Sequence, residues 1–272
     1  MPQSRLTPLS KSAEPKAPGW LTSQPIAHRG LHDSAAGIAE NSLSAFRQAM
    51  QAGLPIELDV HLSADGLPVV FHDDTLIRMT GDPRAVKQVS FAELTALKLD
   101  SGPDTLPGLM EVLQVVNGTV PLVIELKHDP EGPDRLSQTV HEALTGYGGD
   151  FSIQSFDPWI LQWFRLNAPH IIRGQLAMKS PPKKMPLHRK FMMGQMLFNR
   201  MSAPHYIGYD VRDVHSWPVR RVRRRNIPAL AWTVTRQDQL DHARKHADNV
   251  IFETLTPDLV RKPGCSPKSK SP

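Results

Sequence analysis

A chain of 272 residues with 40% hydrophobic and 22% charged content has the composition of a folded globular protein and the length of one large α/β domain. No apolar run approaches the roughly 18 residues of a membrane-crossing helix. The stretch from Met1 to Lys16 lacks the apolar segment of a signal peptide, and the single Cys265 excludes an internal disulfide, which fits a reducing, cytoplasmic compartment.

The net charge of +5 conceals an asymmetry: residues 1–150 hold 11 Lys/Arg against 19 Asp/Glu, and residues 151–272 hold 21 against 8. A basic half points to an anionic partner, a phosphorylated substrate or an anionic lipid surface ahead of nucleic acid. Residues 1–19 read as a flexible polar lead and residues 261–272 as a disordered low-complexity tail, so the folded domain is expected over 20–260.

Pro25-Ile26-Ala27-His28 is a short apolar run that ends on His28-Arg29-Gly30. Asn41 or Ser42 can N-cap a helix reaching about residue 52, Gly53 closes it, and Pro55 opens the next strand. In Ile56-Glu57-Leu58-Asp59-Val60 apolar and acidic residues alternate. On a strand, Glu57 and Asp59 therefore share one face while Leu58 and Val60 pack on the other. Ala64-Asp65-Gly66 turns the chain into a returning strand over 68–71, which ends on His72. Residues 75–102 are mixed, with a short helix at 91–97, and residues 109–116 repeat apolar side chains at helical spacing. Residues 122–127 form a strand on which Glu125 and Lys127 share a face. Strands are then expected at 151–155, 171–177, 206–211, 229–234 and 249–252, and helices at 158–166, 185–201, 217–225 and 237–245. With 68–71 set aside as a hairpin excursion, eight strands remain, most followed by a helix, which predicts an α/β TIM (β/α)8 barrel.

Polar groups at the C-terminal ends of barrel strands read as active-site parts. Those positions hold His28, Arg29, Glu57, Asp59, Glu125, Lys127 and Trp232, and His72 ends the excursion. Three carboxylates converging in a partly dehydrated mouth would take up protons without a cation, and oxygen-only ligation favours Mg²⁺ or Ca²⁺ over zinc. Arg29 and Lys127 beside such a cation suit a phosphate-bearing anion. Two histidines from different segments supply a base for the nucleophile and an acid for a leaving alkoxide.

The runs Ile26-Ala27-His28-Arg29-Gly30, Glu40-Asn41-Ser42, Glu57-Leu58-Asp59-Val60, Asp65-Gly66, Val70-Phe71-His72-Asp73, residues 76–81, Ile124-Glu125-Leu126-Lys127, Ser155-Phe156-Asp157 and Ala231-Trp232-Thr233-Val234 resemble the glycerophosphodiester phosphodiesterase family, in family order from about residue 24 to 258. The resemblance implies a TIM barrel with a small insertion after the second strand, about residues 63–107. It also implies cleavage of a glycerophosphodiester to sn-glycerol 3-phosphate and an alcohol with Mg²⁺ or Ca²⁺. By position, Glu57, Asp59 and Glu125 would hold the metal, and His28 and His72 would be the acid–base pair, here read as base and acid respectively. Arg29 and Lys127 would bind phosphate, Glu40 and Asn41 would line or brace the site, and Trp232 would wall the glycerol pocket, with core packing as its alternative. The chain departs from the family's usual pattern at His61, read as a rim or supporting residue, and at Glu253, where many members carry Asp.

Residues 185–201 gather five methionines with Leu187, Phe191, Leu197 and Phe198 after Lys179, Lys183 and Lys184. The plain reading is a barrel helix packed with flexible Met side chains, and the sharper one is a basic amphipathic segment lying on anionic lipid or gating the mouth. The Arg220–Arg225 run has no nucleic-acid recognition motif beside it and reads as a solvated helix face or a lipid-headgroup contact. His32, His128, His141, His170 and His246 read as surface residues. The alternatives to the main reading are a lysophospholipase D-type activity, which the Met-rich segment would favour, and a non-catalytic lipid- or metabolite-binding barrel. No oligomeric state follows from the sequence.

Overall fold

The computed structural model describes residues 15–129, 131–179 and 186–261. The first fourteen residues of the expected lead, the tail from residue 262 with Cys265, and residues 180–185, with Lys183, Lys184 and Met185, lie outside the described residues.

Eight parallel strands close into a barrel: β1 (Ile26–Ala27), β2 (Ile56–Leu62), β4 (Leu122–Leu126), β5 (Phe151–Ser155), β6 (Arg173–Ala177), β7 (Tyr206–Asp210), β8 (Ala229–Val234) and β9 (Asn249–Phe252). Closure comes from β1, which pairs with β9 on one side and β2 on the other. The remaining strand, β3 (Pro68–Val70), runs antiparallel against the far end of β2 as the anticipated hairpin.

Strand alternation sorts the side chains. Leu58, Val60, Ile124 and Leu126 join Phe46, Val112 and Leu136 of the surrounding helices in the largest buried cluster. Each fully buried Leu or Ile contributes about 1.5–3 kcal/mol, so this outer layer carries much of the stability and leaves the inward face available for polar chemistry. Lower inside the barrel, Leu21, Ile26, Val123, Tyr206, Leu230 and Ile251 form a plug. Gly174 makes room for it, because a Cβ there would stand 2.2 Å from the Tyr206 ring. The Tyr206 hydroxyl bonds Ser152 Oγ at 3.0 Å and donates to Gln154 Oε1 at 3.4 Å, so the plug's top is polar where the site begins. The inserted segment after β2 has its own small core, with Val69, Phe71, Leu76, Met79, Val86 and Leu94 packed together.

Two local features differ from the sequence reading, and a third decides between its alternatives. The single helix expected over 185–201 is two, Leu187–Gly194 and Asn199–Ser202, with Met196 between them at φ 56°. A helix at Pro133–Leu144, begun by Pro in its first turn, was not anticipated. Ser42, rather than Asn41, caps the helix Leu43–Gln51, accepting from Ala45 N–H at 3.1 Å. Asn41 is instead turned inward at φ 54°.

Candidate active site

After β1 the chain turns through Arg29 at φ 55° and Gly30 at φ 81°. A Cβ on Gly30 would lie 2.8 Å from Ala45 Cβ, so only glycine lets this turn press against the helix Leu43–Gln51. The turn carries His28 and Arg29 to the barrel mouth, and Arg29 N–H donates to Glu57 Oε2 at 3.1 Å. Parallel register sets Asp59 beside Glu125 and Glu125 beside Gln154 at one level of β2, β4 and β5. One carboxylate oxygen each from Glu57, Asp59 and Glu125 lies within 4.8 Å of the others, and all three residues are buried. They are the only such group of potential metal ligands among the described residues.

Two cations face these three acids. Lys127 Nζ lies 2.6 Å from Glu125 Oε1 and 2.7 Å from Asp59 Oδ1. Arg29 Nε is 3.3 Å from Asp59 Oδ2, and its Nη1 donates to Glu40 Oε1 at 2.7 Å. Asn41 Nδ2 donates to Asp59 Oδ2 at 2.9 Å, and Gln154 Nε2 to Glu57 Oε1 at 3.2 Å. Burial, then the charges of Asp59 and Glu125, push the Glu57 carboxyl well above its ordinary range, and burial also raises Glu125. Burial opposes the charge of Asp59 as well, yet Lys127 and Arg29 hold it far below the usual carboxylate range.

The cluster fits a divalent cation on two observations. Burial beside Asp59 and Glu125 disfavours the charge of Glu57, a cost that a cation among the three acids would offset, and buried Asp59 Oδ1 has the Lys127 contact but no well-formed hydrogen bond. Oxygens up to 4.8 Å apart can share one ion with ligand distances of about 2.3–2.6 Å.

Both histidines reach the same cavity, a space of about 80 Å³ lined by His28, His72, Glu57, Glu125, Lys127 and Trp232 among others. Each has its Nδ1 tied to a carboxylate: His28 to Glu253 Oε2 at 2.8 Å and His72 to Asp73 Oδ1 at 2.6 Å. Their Nε2 atoms are thereby left for other work, that of His28 lying 3.9 Å from Glu57 Oε2. Burial lowers the pKa of both, and with Lys127 nearby that of His72 falls to about 4. Arg78, from the insertion, binds Asp73 Oδ2 at 2.5 Å and Glu40 Oε1 at 2.6 Å, so it braces the partners of His72 and Arg29 together.

The structure thus brings His28, Arg29, Glu57, His72, Glu125, Lys127 and Trp232 to the cavity, with Asp59, Asn41 and Glu40 bonded directly behind them. Trp232 meets Phe156 edge to face at 5.3 Å on the cavity wall. His61 Nε2 donates to the His72 carbonyl at 3.1 Å, below the rim. His32, read as a surface residue, lies instead 3.5 Å from Glu253 Oε2 with its side chain mostly buried. Sequence reasoning missed the roles of Glu253 and Gln154, which lie 225 and 97 residues from the groups they bond.

A model of the glycerophosphoryl diester phosphodiesterase family matches residues 28–252. The chain belongs to that family. It is a phosphodiester hydrolase by descent. A glycerophosphodiester phosphodiesterase of Caldanaerobacter subterraneus subsp. tengcongensis is 29% identical over 255 residues, covering 88% of this chain and 98% of that one. An Oleispira antarctica phosphodiesterase, solved in complex with the product sn-glycerol-3-phosphate, is 25% identical with a TM-score of 0.72, covering 88% of this chain and 96% of that one. The glycerophosphodiester phosphodiesterase of Thermotoga maritima, at 23% identity and a TM-score of 0.66, shares the fold over 87% of this chain and 96% of its own. Among the described residues, no helix of this family member is long and apolar enough to cross a membrane.

Proposed function

We propose that this chain hydrolyses glycerophosphodiesters to sn-glycerol 3-phosphate and an alcohol, as a metal-dependent enzyme of the cytoplasm. The observation that carries the reading is the pair of carboxylate-held histidines sharing one cavity with three clustered acids. Glu57, Asp59 and Glu125 would hold Mg²⁺ or Ca²⁺. When bound, such an ion polarises the phosphodiester and offsets negative charge that develops on its oxygens.

The chain's own groups do the rest. Arg29 and Lys127 bind the phosphate oxygens, and Trp232 with Phe156 walls the glycerol moiety and excludes water. His28, kept neutral by burial, accepts at Nε2 the proton of the attacking hydroxyl, the glycerol 2-OH or a water. Glu253, held ionised by its bonds from His28 and His32, fixes the His28 ring and stabilises the imidazolium that forms. His72 donates to the departing alkoxide. Its low pKa in the free enzyme rises when a phosphodiester anion lies against it, because an adjacent negative charge favours the protonated ring.

A second reading, lysophospholipase D-type cleavage, is favoured by the exposed Leu187 and Phe191 on the helix that follows β6, a surface suited to lipid. Purified protein is assayed on glycerophosphocholine and on lysophosphatidylcholine, with and without chelator. Glycerol 3-phosphate released from the first, lost with chelator and restored by Mg²⁺ or Ca²⁺, is the expected result. No turnover of glycerophosphocholine under any divalent ion would overturn the main reading, and turnover of the lysolipid alone would install the second.

A further inference from the structure

The helix Leu187–Gly194 follows β6, and its Gly194 end sits against Lys179 and Tyr209, at the C-terminal ends of β6 and β7. Its inner end is fixed there: the Tyr209 hydroxyl donates to the Gly194 carbonyl at 3.0 Å, Arg221 Nη2 donates to Gln195 O at 2.8 Å, and Met193 and Met196 are buried. Its outer side is bare. Leu187 is 83% and Phe191 63% exposed, one helical turn apart and so on the same face. Leu197 at 43% and Trp159 at 47% extend the exposed apolar surface, and Trp159 is tied to this segment through a ring contact with Phe198 at 6.5 Å. Trp159 also follows Phe156 of the cavity wall by three residues, so the surface begins next to where substrate enters.

Charge selects the occupant. Of the eight Lys/Arg in residues 158–209, Arg173 is buried in the barrel and Lys183 and Lys184 lie outside the described residues, while Arg189 and Arg200 are exposed on the two short helices themselves. Large exposed apolar side chains mark a contact surface. Trp, Phe and Leu interleaved with the exposed Arg189 and Arg200 suit the headgroup region of an anionic membrane. We infer that this face docks the protein on an anionic lipid bilayer with the mouth turned toward it. The inference extends the phosphodiesterase reading to substrates at a lipid surface, and it rests on that reading only for what the docked mouth does.

Full-length protein is sedimented with vesicles of phosphatidylcholine alone and of equal parts phosphatidylcholine and phosphatidylglycerol. It should pellet with the anionic vesicles, and raised salt should release it. Leu187→Ser with Phe191→Ser should weaken this binding about 10-fold or more, because two apolar side chains are withdrawn from the interface. The same variant should leave turnover of soluble glycerophosphocholine unchanged, since neither residue lines the cavity. Arg189→Glu should lower binding to anionic vesicles by a smaller factor. Equal binding to both vesicle types, equal binding by the variants, or no binding at all overturns the inference. So does a dimer of the wild type that the double variant dissolves, which would give the face to a second copy. A protein that binds vesicles but turns over no glycerophosphocholine would overturn the catalytic reading alone.

Discussion

Residues 28–127 and residues 151–252 line one mouth with different chemistry. The first stretch supplies His28, Arg29, Glu57, His72, Glu125 and Lys127, and the second supplies Phe156, Leu176, Trp232 and Ile251, with the uncharged Gln154 and Thr233. In the first, every charge is answered by a near neighbour, Lys127 by Asp59 and Glu125, Arg29 by Glu40 and Asp59. In the second, side chains meet through ring edges and shape, as Phe156 meets Trp232. Buried charge requires partners placed within a few ångströms, and three adjacent strands, β1, β2 and β4, provide that placement. A substrate wall requires only area and can be drawn from strands farther round the barrel. The first half thus brings the charged groups to the cavity and the second half most of its apolar wall.

The largest expected effect breaks the charged side. His72→Ala should lower kcat by about 10²–10⁴ for substrates with poor alcohol leaving groups, and much less for a nitrophenyl leaving group that needs no proton. Steady-state rates on the two substrates check this, and equal losses on both would remove His72 as the acid. On the other side, Trp232→Ala should raise KM about 10-fold while kcat stays within a few-fold, because it removes binding shared by ground and transition states. A kcat loss as large as that of His72→Ala would erase the distinction between the halves.

A smaller effect lies at the opposite end of the barrel. Buried His205 accepts at Nδ1 from the Arg173 N–H at 2.9 Å, and burial, then the Arg173 charge, lower its pKa to about 4. Well above pH 6.5 neither folded nor unfolded His205 is protonated, and its contribution is intact. As pH falls from there toward 4, the unfolded chain takes up a proton that the folded chain refuses, so stability declines. Thermal unfolding of His205→Gln should therefore fall less steeply over that window than the wild type. Parallel curves would show that His205 titrates normally in the fold.

What the sequence disclosed follows the same division. Alternation in Ile56-Glu57-Leu58-Asp59-Val60 and in Ile124-Glu125-Leu126-Lys127 exposes both the strands and the acids they aim inward, since a period of two is local information. Glu253 was legible only as a departure from a family pattern, because its bond to His28 forms when β9 closes the barrel against β1. Arg78 lies within the run 76–81 that carries part of the family resemblance, yet nothing local marks its role, because it joins Glu40 to Asp73 across the fold. The helix Pro133–Leu144 had a usable signature in Pro133 and the spacing of Leu136, Val140 and Leu144, which are all buried. The break at Met196 was hidden by continuous apolar content, which does not reveal a left-handed residue.

The central claim is that Glu57, Asp59 and Glu125, drawn from two strands, hold one divalent ion between them. Calorimetric titration of metal-free protein with Mg²⁺ and Ca²⁺, alongside Glu57→Gln, tests it most directly. The wild type should bind one ion and release protons as Glu57 ionises, and Glu57→Gln should bind at least about 10–100-fold more weakly with little proton release. Identical isotherms for the two proteins would contradict the account.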